Sequence, residues 1–391
     1  MRRISGLACL LATTAAAMPA SAEIVLFGNA RLGIGYNIDN EGEVDRPVSD
    51  DTSSSDNKTT TIDVIDPVTG ETVEEEIVTE VGSTEDLRAV SRIRWGVTMT
   101  GETESGISFG ATIRADNASS GGTGDSASTG QTAGEVFVSS AWGVLTFGDI
   151  DGADYARVGD PIGNVSLTGL GDFNELPFIS NGGGSDNDEL QFLTQPDVRP
   201  TVRYDYDFEG FGLSLSTDRE LNSFGVGGSY THEFGEEASV KIGAGYYDFS
   251  AFTGKIDGYG EIDVPDGNEW SMSLTGEFGD YNAGIGYASI DAGDIGELDV
   301  LSLGAGATFG AWTAMAYYAN VVSGDELFGE AYDDNDSYGA SLAYDLGGGA
   351  SVNAGVARSY GSDAVGAPGE PQYAPAFAAG TVADFGISMK F

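Results

Sequence analysis

Arg92-Ile93-Arg94-Trp95-Gly96-Val97-Thr98-Met99 alternates without a break, with Ile, Trp, Val and Met on one parity and Arg, Arg, Gly and Thr on the other. Successive side chains of an extended strand point to opposite faces, so this stretch makes a ribbon with one apolar and one polar side. The same period runs upstream through Leu32, Ile34, Tyr36 and Ile38, set against Arg31, Gly33, Gly35 and Asn37. Downstream it returns in Ile107, Phe109, Ala111 and Ile113 against Ser108, Gly110, Thr112 and Arg114, then in Trp270, Met272 and Leu274, and in Tyr338, Ala340, Leu342 and Tyr344. Sixteen segments of this kind can be marked, near 24–38, 88–100, 106–116, 133–141, 143–149, 200–208, 211–218, 222–234, 238–249, 269–279, 280–291, 298–310, 311–322, 336–347, 349–360 and 380–391. Period-two amphipathicity over about ten residues is what a tilted membrane-crossing strand requires, and an even number closes an antiparallel barrel with both ends on one side.

The connections alternate too. Links after the first, third, fifth, ninth, thirteenth and fifteenth segments are long and rich in Gly, Ser, Asp and Pro, whereas those between are tight turns such as Glu209-Gly210 and Gly347-Gly348. Long loops on one rim and short turns on the other suit an outer-membrane barrel; a soluble sandwich has no reason to segregate them. Aromatic residues gather at segment ends, among them Tyr36, Trp95, Tyr206, Phe208, Tyr246, Tyr247, Phe278, Tyr281, Tyr287, Tyr317, Tyr318 and Tyr344, as interfacial girdles do.

Composition narrows the partners. With 62 acidic against 17 basic residues the formal charge is −45, which repels nucleic acid and anionic lipid alike. Hydrophobic residues make up 40%, with 59 glycines, so the charge belongs in loops and on one polar surface of a folded chain. Mean hydropathy is only −0.12, as expected when alternate residues face lipid. At the N-terminus, Arg2 and Arg3, the short apolar run Ile4 to Ala17 and the small residues Ala20-Ser21-Ala22 read as a cleaved signal peptide over 1–22, leaving one domain over 23–391 that begins at Glu23. Cys9, the only cysteine, lies within it, so the exported chain has no thiol.

Taken together, these residues resemble the porin family of Gram-negative bacteria. Val25-Leu26-Phe27-Gly28-Asn29-Ala30-Arg31-Leu32 looks like a porin first strand, and Ser140-Ala141-Trp142-Gly143-Val144-Leu145-Thr146-Phe147-Gly148 like the turn and fifth strand before a porin's inward-folded third loop. Phe391, after alternating Phe385, Ile387 and Met389, is similar to the terminal signal read by the barrel-assembly machinery. Acidity and Ala- and Gly-rich strands resemble most the porins of alphaproteobacteria. The resemblance implies an all-β, 16-stranded antiparallel transmembrane barrel in the cell outer membrane, with long extracellular loops and an inward-folded third loop. It also implies a homotrimer that passes ions and small hydrophilic solutes, in contact with outer-membrane lipid and lipopolysaccharide. One departure stands out: the Pro-Glu-Phe-Gly-Gly signature of enterobacterial porins is replaced by Asn174-Glu175-Leu176-Pro177-Phe178.

A pore filters by size and by field. Folded inward, the loop from Asp149 to Pro200 would present Asp149, Asp151, Asp154, Asp160, Asp172 and Glu175 to the lumen. Arg31, Arg92, Arg94 and Arg114 fall on the polar parity of the first three strands and so form one basic cluster on the inner wall. Acidic loop against basic wall gives a transverse field, and the surplus of carboxylates gives a cation preference. The alternative is that each Arg merely pairs with a neighbouring acid. No cofactor is required; Asp149, Asp151 and Asp154 are oxygen-rich enough to suggest Ca²⁺. The segment Asp63 to Glu80 reads as a hairpin turning at Pro67-Val68-Thr69-Gly70. Catalysis finds no support, because the single His232 in Tyr230-Thr231-His232-Glu233-Phe234 has no thiol or second His beside it. Rival readings are a substrate-selective channel, recognised by saturable flux, an outer-membrane barrel enzyme, and a secreted calcium-binding β-protein that would dissolve without detergent.

Overall fold

The computed structural model describes residues 22–40, 56–65, 72–81, 87–116, 133–161, 165–168, 170, 176–180, 200–235, 237–256, 260–293, 296–323, 335–359 and 380–391. The barrel strands are β1 (Glu23–Asn40), β4 (Leu87–Glu102), β5 (Ser108–Asp116), β6 (Ala133–Ser140), β7 (Gly143–Gly148), β8 (Pro200–Phe208), β9 (Phe211–Asp218) and β10 (Phe224–Glu233). They continue with β11 (Ala238–Phe249), β14 (Gly267–Phe278), β15 (Tyr281–Asp291), β16 (Glu297–Phe309), β17 (Trp312–Ser323), β18 (Asn335–Gly347), β19 (Ala350–Ser359) and β20 (Gly380–Lys390). Neighbours in sequence are neighbours in space, and β20 returns to pair with β1, so the sheet closes. The sixteen strands correspond one to one with the sixteen amphipathic segments of the sequence.

Closure leaves no unpaired edge, and the two parities take opposite fates. On β1, Ile24, Leu26, Leu32 and Ile34 are exposed on the outside, while Arg31, Gly33 and Gly35 turn inward. On β9, Phe211, Leu213 and Leu215 are exposed outward, and Gly212, Ser214 and Ser216 are buried inward. A lipid-facing apolar wall around a polar interior follows from this alternation. At the short-turn rim the outer wall carries aromatic pairs: Phe211 with Tyr230 at 4.5 Å, Trp312 with Tyr344 at 4.7 Å, and Tyr281 with Phe309 at 6.1 Å between ring centroids. The girdle expected from sequence needs two corrections. Tyr247 and Tyr317 are on the inward parity and are almost wholly buried inside the barrel.

Each tight turn has a local cause. Between β8 and β9 the two linking residues, Glu209 and Gly210, have φ of 47° and 84°, the double left-handed conformation whose twist matches that of the flanking strands. On the other rim, β2 (Asp56–Ile65) and β3 (Thr72–Val81) pair antiparallel with Ile65 opposite Thr72, which bears out the hairpin; its expected turn at Pro67 to Gly70 lies outside the described residues. A second hairpin, β12 (Phe252–Ile256) and β13 (Gly260–Val264), joins β11 to β14. One short helix, α1 (Ala153–Val158), follows β7.

The largest core cluster sits inside the barrel. Val158, Leu176, Phe178 and Ile179 from the segment after β7 pack with Tyr247 and Phe249 of β11, Ile290 of β15, Leu298 and Val300 of β16, and Phe252 and Val264 of the second hairpin. Inward positions that are polar along most strands become apolar near the long-loop end of β11, β15 and β16. Burying a Phe or Ile side chain there contributes on the order of 1.5–3 kcal/mol, enough to hold a loop that the lumen would otherwise solvate.

Candidate pore constriction

The described part of the segment between β7 and β8 lies against the inner wall. Ala153 N–H donates to Ser216 Oγ on β9 at 2.9 Å, and Ser273 Oγ on β14 donates to the Val158 carbonyl at 2.8 Å. Farther along, Val165 N–H donates to Ser341 Oγ on β18 at 3.2 Å and the Val165 carbonyl accepts from Asn353 Nδ2 on β19 at 2.8 Å. Thr168 donates twice to Asp384 Oδ2 on β20, from its N–H at 2.6 Å and its hydroxyl at 2.7 Å. Tyr317 on β17 donates to the Leu170 carbonyl at 2.6 Å, and Arg31 Nη1 on β1 to the Leu167 carbonyl at 3.0 Å. The chain then returns past β15 and β14, where Ile179 N–H donates to Glu269 Oε2 at 2.6 Å. The described part of the loop is therefore folded inward, with bonds to β1, β9, β14 and β17 to β20.

Its seat is cut by small side chains. A Cβ on Gly227 would lie 1.9 Å from the Ala153 carbonyl oxygen, and one on Gly243 2.5 Å from that of Arg157. Likewise a Cβ on Gly284 would stand 2.3 Å from the Pro161 carbonyl, and Leu167 fits over Gly33 and Gly386. Close backbone approach is what glycine permits and any larger residue forbids.

The strand register brings the four arginines together. Arg31 is directly opposite Arg92 in the β1–β4 register, Arg94 is opposite Asn29, and Arg114 on β5 is opposite Gly96. All four are half-buried on the inward parity. Directly opposed and next-but-one side chains on one sheet face lie within about 5–8 Å, so the four make a continuous patch. Each has polar or charged partners, and Arg31 is tied to the loop itself.

The expected acidic set does not act as one group. Asp149 is exposed and Asp151 half-buried; Asp172 and Glu175 lie outside the described residues. Asp160 is half-buried, accepting from the Tyr155 hydroxyl at 2.9 Å and from Leu176 N–H at 3.3 Å. Burial pushes its carboxyl up to about 6, those two hydrogen bonds hold it back, and the nearby Asp151 charge adds to the rise. Asp154 must be corrected: it is wholly buried, accepting from Ser180 Oγ at 2.6 Å, and does not face the lumen. Burial raises its carboxyl above the ordinary aspartate range. Asp149, Asp151 and Asp154 consequently do not converge on an ion, and among the described residues no three acidic or His side chains are grouped to hold a metal.

Sequence reasoning missed Arg157, a cation on the acidic loop. Its Nε donates to Ser214 Oγ at 2.6 Å, and its guanidinium is bridged to Asp207 and lies 3.8 Å from Asp205. Arg203 is bound to Asp205 at 2.9 Å and to the Asp151 carbonyl at 2.8 Å. It also missed Glu269, Asp384, Asn353 and Tyr317 as anchors; their inward parity beside runs of Gly and Ser was the available signal. His232 lies within β10, exposed on the outer wall with its ring centroid 4.5 Å from that of Phe234. Phe391 is exposed, its N–H donating to the Gly28 carbonyl at 2.9 Å.

A closed barrel with an apolar outer wall, a polar inner one and a loop folded into its lumen defines a multi-pass transmembrane β-barrel channel. The family model for Gram-negative porins matches residues 6–364, and the chain belongs to that family. It is thus an outer-membrane porin, a channel and not an enzyme. A porin of Rhodobacter capsulatus is 28% identical over 320 residues, which cover 70% of this chain and 88% of that one. Among solved structures, a porin refined at 1.8 Å superposes with a TM-score of 0.57 at 23% identity, covering 94% of this chain and all (100%) of the other. A triple mutant of the Rhodopseudomonas blastica porin gives 0.55 at 18% identity with the same 94% and 100% coverage.

Proposed function

We propose that this porin is a general diffusion channel for ions and small hydrophilic solutes, prefers cations, and narrows where its third loop faces the arginine patch of β1, β4 and β5. The supporting observation is the asymmetry of the lumen: Asp160 is held beside β15, where the next residue, Pro161, lies over Gly284, and this is across the barrel from β1, β4 and β5, which carry Arg31, Arg92, Arg94 and Arg114. Charges fixed on opposite sides of a water-filled passage orient dipolar solutes and retard apolar ones, which have no dipole to align. The formal charge of −45 raises the local concentration of cations at the mouths. The working unit is a homotrimer of chains starting at Glu23, embedded in outer-membrane lipid and lipopolysaccharide after assembly guided by Phe391, with no cofactor.

Reconstitution in planar bilayers tests the reading. Conductance should rise in steps grouped in threes, reversal potentials in a salt gradient should favour cations, and large sugars should be excluded. Saturable flux with block by one solute would replace general diffusion by a substrate-selective channel, and folded protein without conductance would overturn both.

A further inference from the structure

Where α1 meets β14, two carboxyl groups are buried side by side. Asp154 and Glu269 both have no exposed surface. Asp154 Oδ2 accepts from Ser180 Oγ at 2.6 Å and Glu269 Oε2 accepts from Ile179 N–H at 2.6 Å, so each uses one oxygen on the returning loop. The remaining oxygens, Asp154 Oδ1 and Glu269 Oε1, are buried without another hydrogen-bond partner, and the two side chains are within hydrogen-bond reach of each other. Gly245, whose Cβ would come within 2.5 Å of Asp154, closes the site from β11.

The groups that face the pair give it no counter-charge. From β11 comes the Tyr247 hydroxyl, from β9 Asp218, from β14 Ser271, and from β10 only Gly225 and Gly227 against the helix. The guanidinium groups of Arg157 on α1 and Arg203 on β8 are held by Asp205, Asp207 and the Asp151 carbonyl. Two carboxylates in such a place cannot both stay ionised; a shared proton turns their repulsion into a hydrogen bond.

We infer that Asp154 and Glu269 share one proton, and that this proton latches the constriction loop to the barrel wall, making the pore's rigidity pH-dependent. The sign follows from burial, which raises Asp154: the latch is closed below the raised value and is lost as pH rises through it. Loss leaves two adjacent buried charges that expel α1 toward the lumen.

The inference rests on the porin reading for its consequence but not for its chemistry, and the test separates them. Infrared spectra of the folded protein just above the ordinary carboxylate range should contain a protonated-carboxyl C=O band, shifted in D₂O, that Asp154→Asn removes; Glu269→Gln serves the same purpose should the first variant not fold. In bilayers, wild-type open-channel current noise should rise severalfold on going to alkaline pH. Asp154→Asn, whose amide donates to Glu269 while its oxygen still accepts from Ser180, should stay quiet throughout. A spectrum whose carboxyl band survives in both variants, or identical alkaline noise in wild type and Asp154→Asn, would overturn the latch without touching the channel function.

Discussion

Two stretches of one inner wall have opposite chemistry. From β9 to β15 the inward positions under the loop are Ser214, Ser216, Gly225, Gly227, Gly243, Gly245, Ser271, Ser273, Gly284 and Gly286, whereas across β1, β4 and β5 they include Arg31, Arg92, Arg94 and Arg114. The first surface lets a backbone come within van der Waals contact and offers hydroxyls to its polar groups. The second projects long charged side chains into water. A barrel of this width leaves room that side chains cannot fill, so where the loop lies is decided by which wall is short enough to receive it. Of the four arginines, Arg31 also ties down the loop, through the Leu167 carbonyl.

The harshest way to break that contrast is to put bulk into the seat. Gly227→Val places a branched side chain where a single Cβ would already be 1.9 Å from the Ala153 carbonyl. Overpacking of this kind costs about 1–3 kcal/mol or more, and here α1 must leave the wall. We expect a clear fall in unfolding temperature in detergent together with altered conductance; an unchanged sugar-exclusion limit would show that α1 does not set the constriction. Less severe is Asp384→Ala, which strips the acceptor of both Thr168 bonds at the far end of the loop. Bonds to a charged acceptor are worth about 1.5–3 kcal/mol each, so the loop should loosen locally while the barrel survives, and larger sugars should pass. If proteolysis of the loop is no faster than in wild type, Asp384 is not an anchor.

On the arginine side the same reasoning predicts the reverse pattern. Replacing Arg92 and Arg94 together by Gln removes two charges from a crowded patch without creating a cavity, and stability should fall less than in Gly227→Val. Selectivity should change instead, with reversal potentials in a salt gradient shifting further toward cations. A stability loss comparable to that of Gly227→Val would mean that these arginines hold the structure together and do not shape the field.

How much of this was legible in sequence differs between the two surfaces. The strands and the arginine patch follow from period-two alternation, because parity alone assigns a face once the sheet closes; Arg31, Arg92, Arg94 and Arg114 came out together for that reason. The loop's path did not, since it depends on contacts between residues far apart in the chain, such as Thr168 with Asp384 and Ile179 with Glu269. Asp154 looks like its neighbours Asp149 and Asp151 in the chain, yet one turn of helix points it into the wall. Tyr247 and Tyr317 misled for a related reason. An aromatic residue near a strand end suits a membrane interface or a core equally well, and only its parity relative to Tyr246 and Tyr318 separates the two.

The finest test concerns Asp160, the carboxyl of the acidic loop whose titration lies near neutrality. Burial beside Tyr155 and Leu176 moves it from 3.8 to about 6, so between those values the folded chain keeps a proton that the unfolded chain has released. The stability contributed by that protonated group is complete below 3.8 and is lost as pH rises through about 6. Its charge follows the opposite course, absent on the acid side and present above. Lowering pH thus weakens the acidic pole of the transverse field. Cation preference should therefore fall on acidification with a midpoint close to 6, far above the ordinary carboxylate range, and Asp160→Asn should abolish that step while leaving conductance nearly unchanged. A midpoint near the unperturbed aspartate value, or a step that persists in Asp160→Asn, would assign the selectivity to exposed rim carboxylates and not to the loop held inside the barrel.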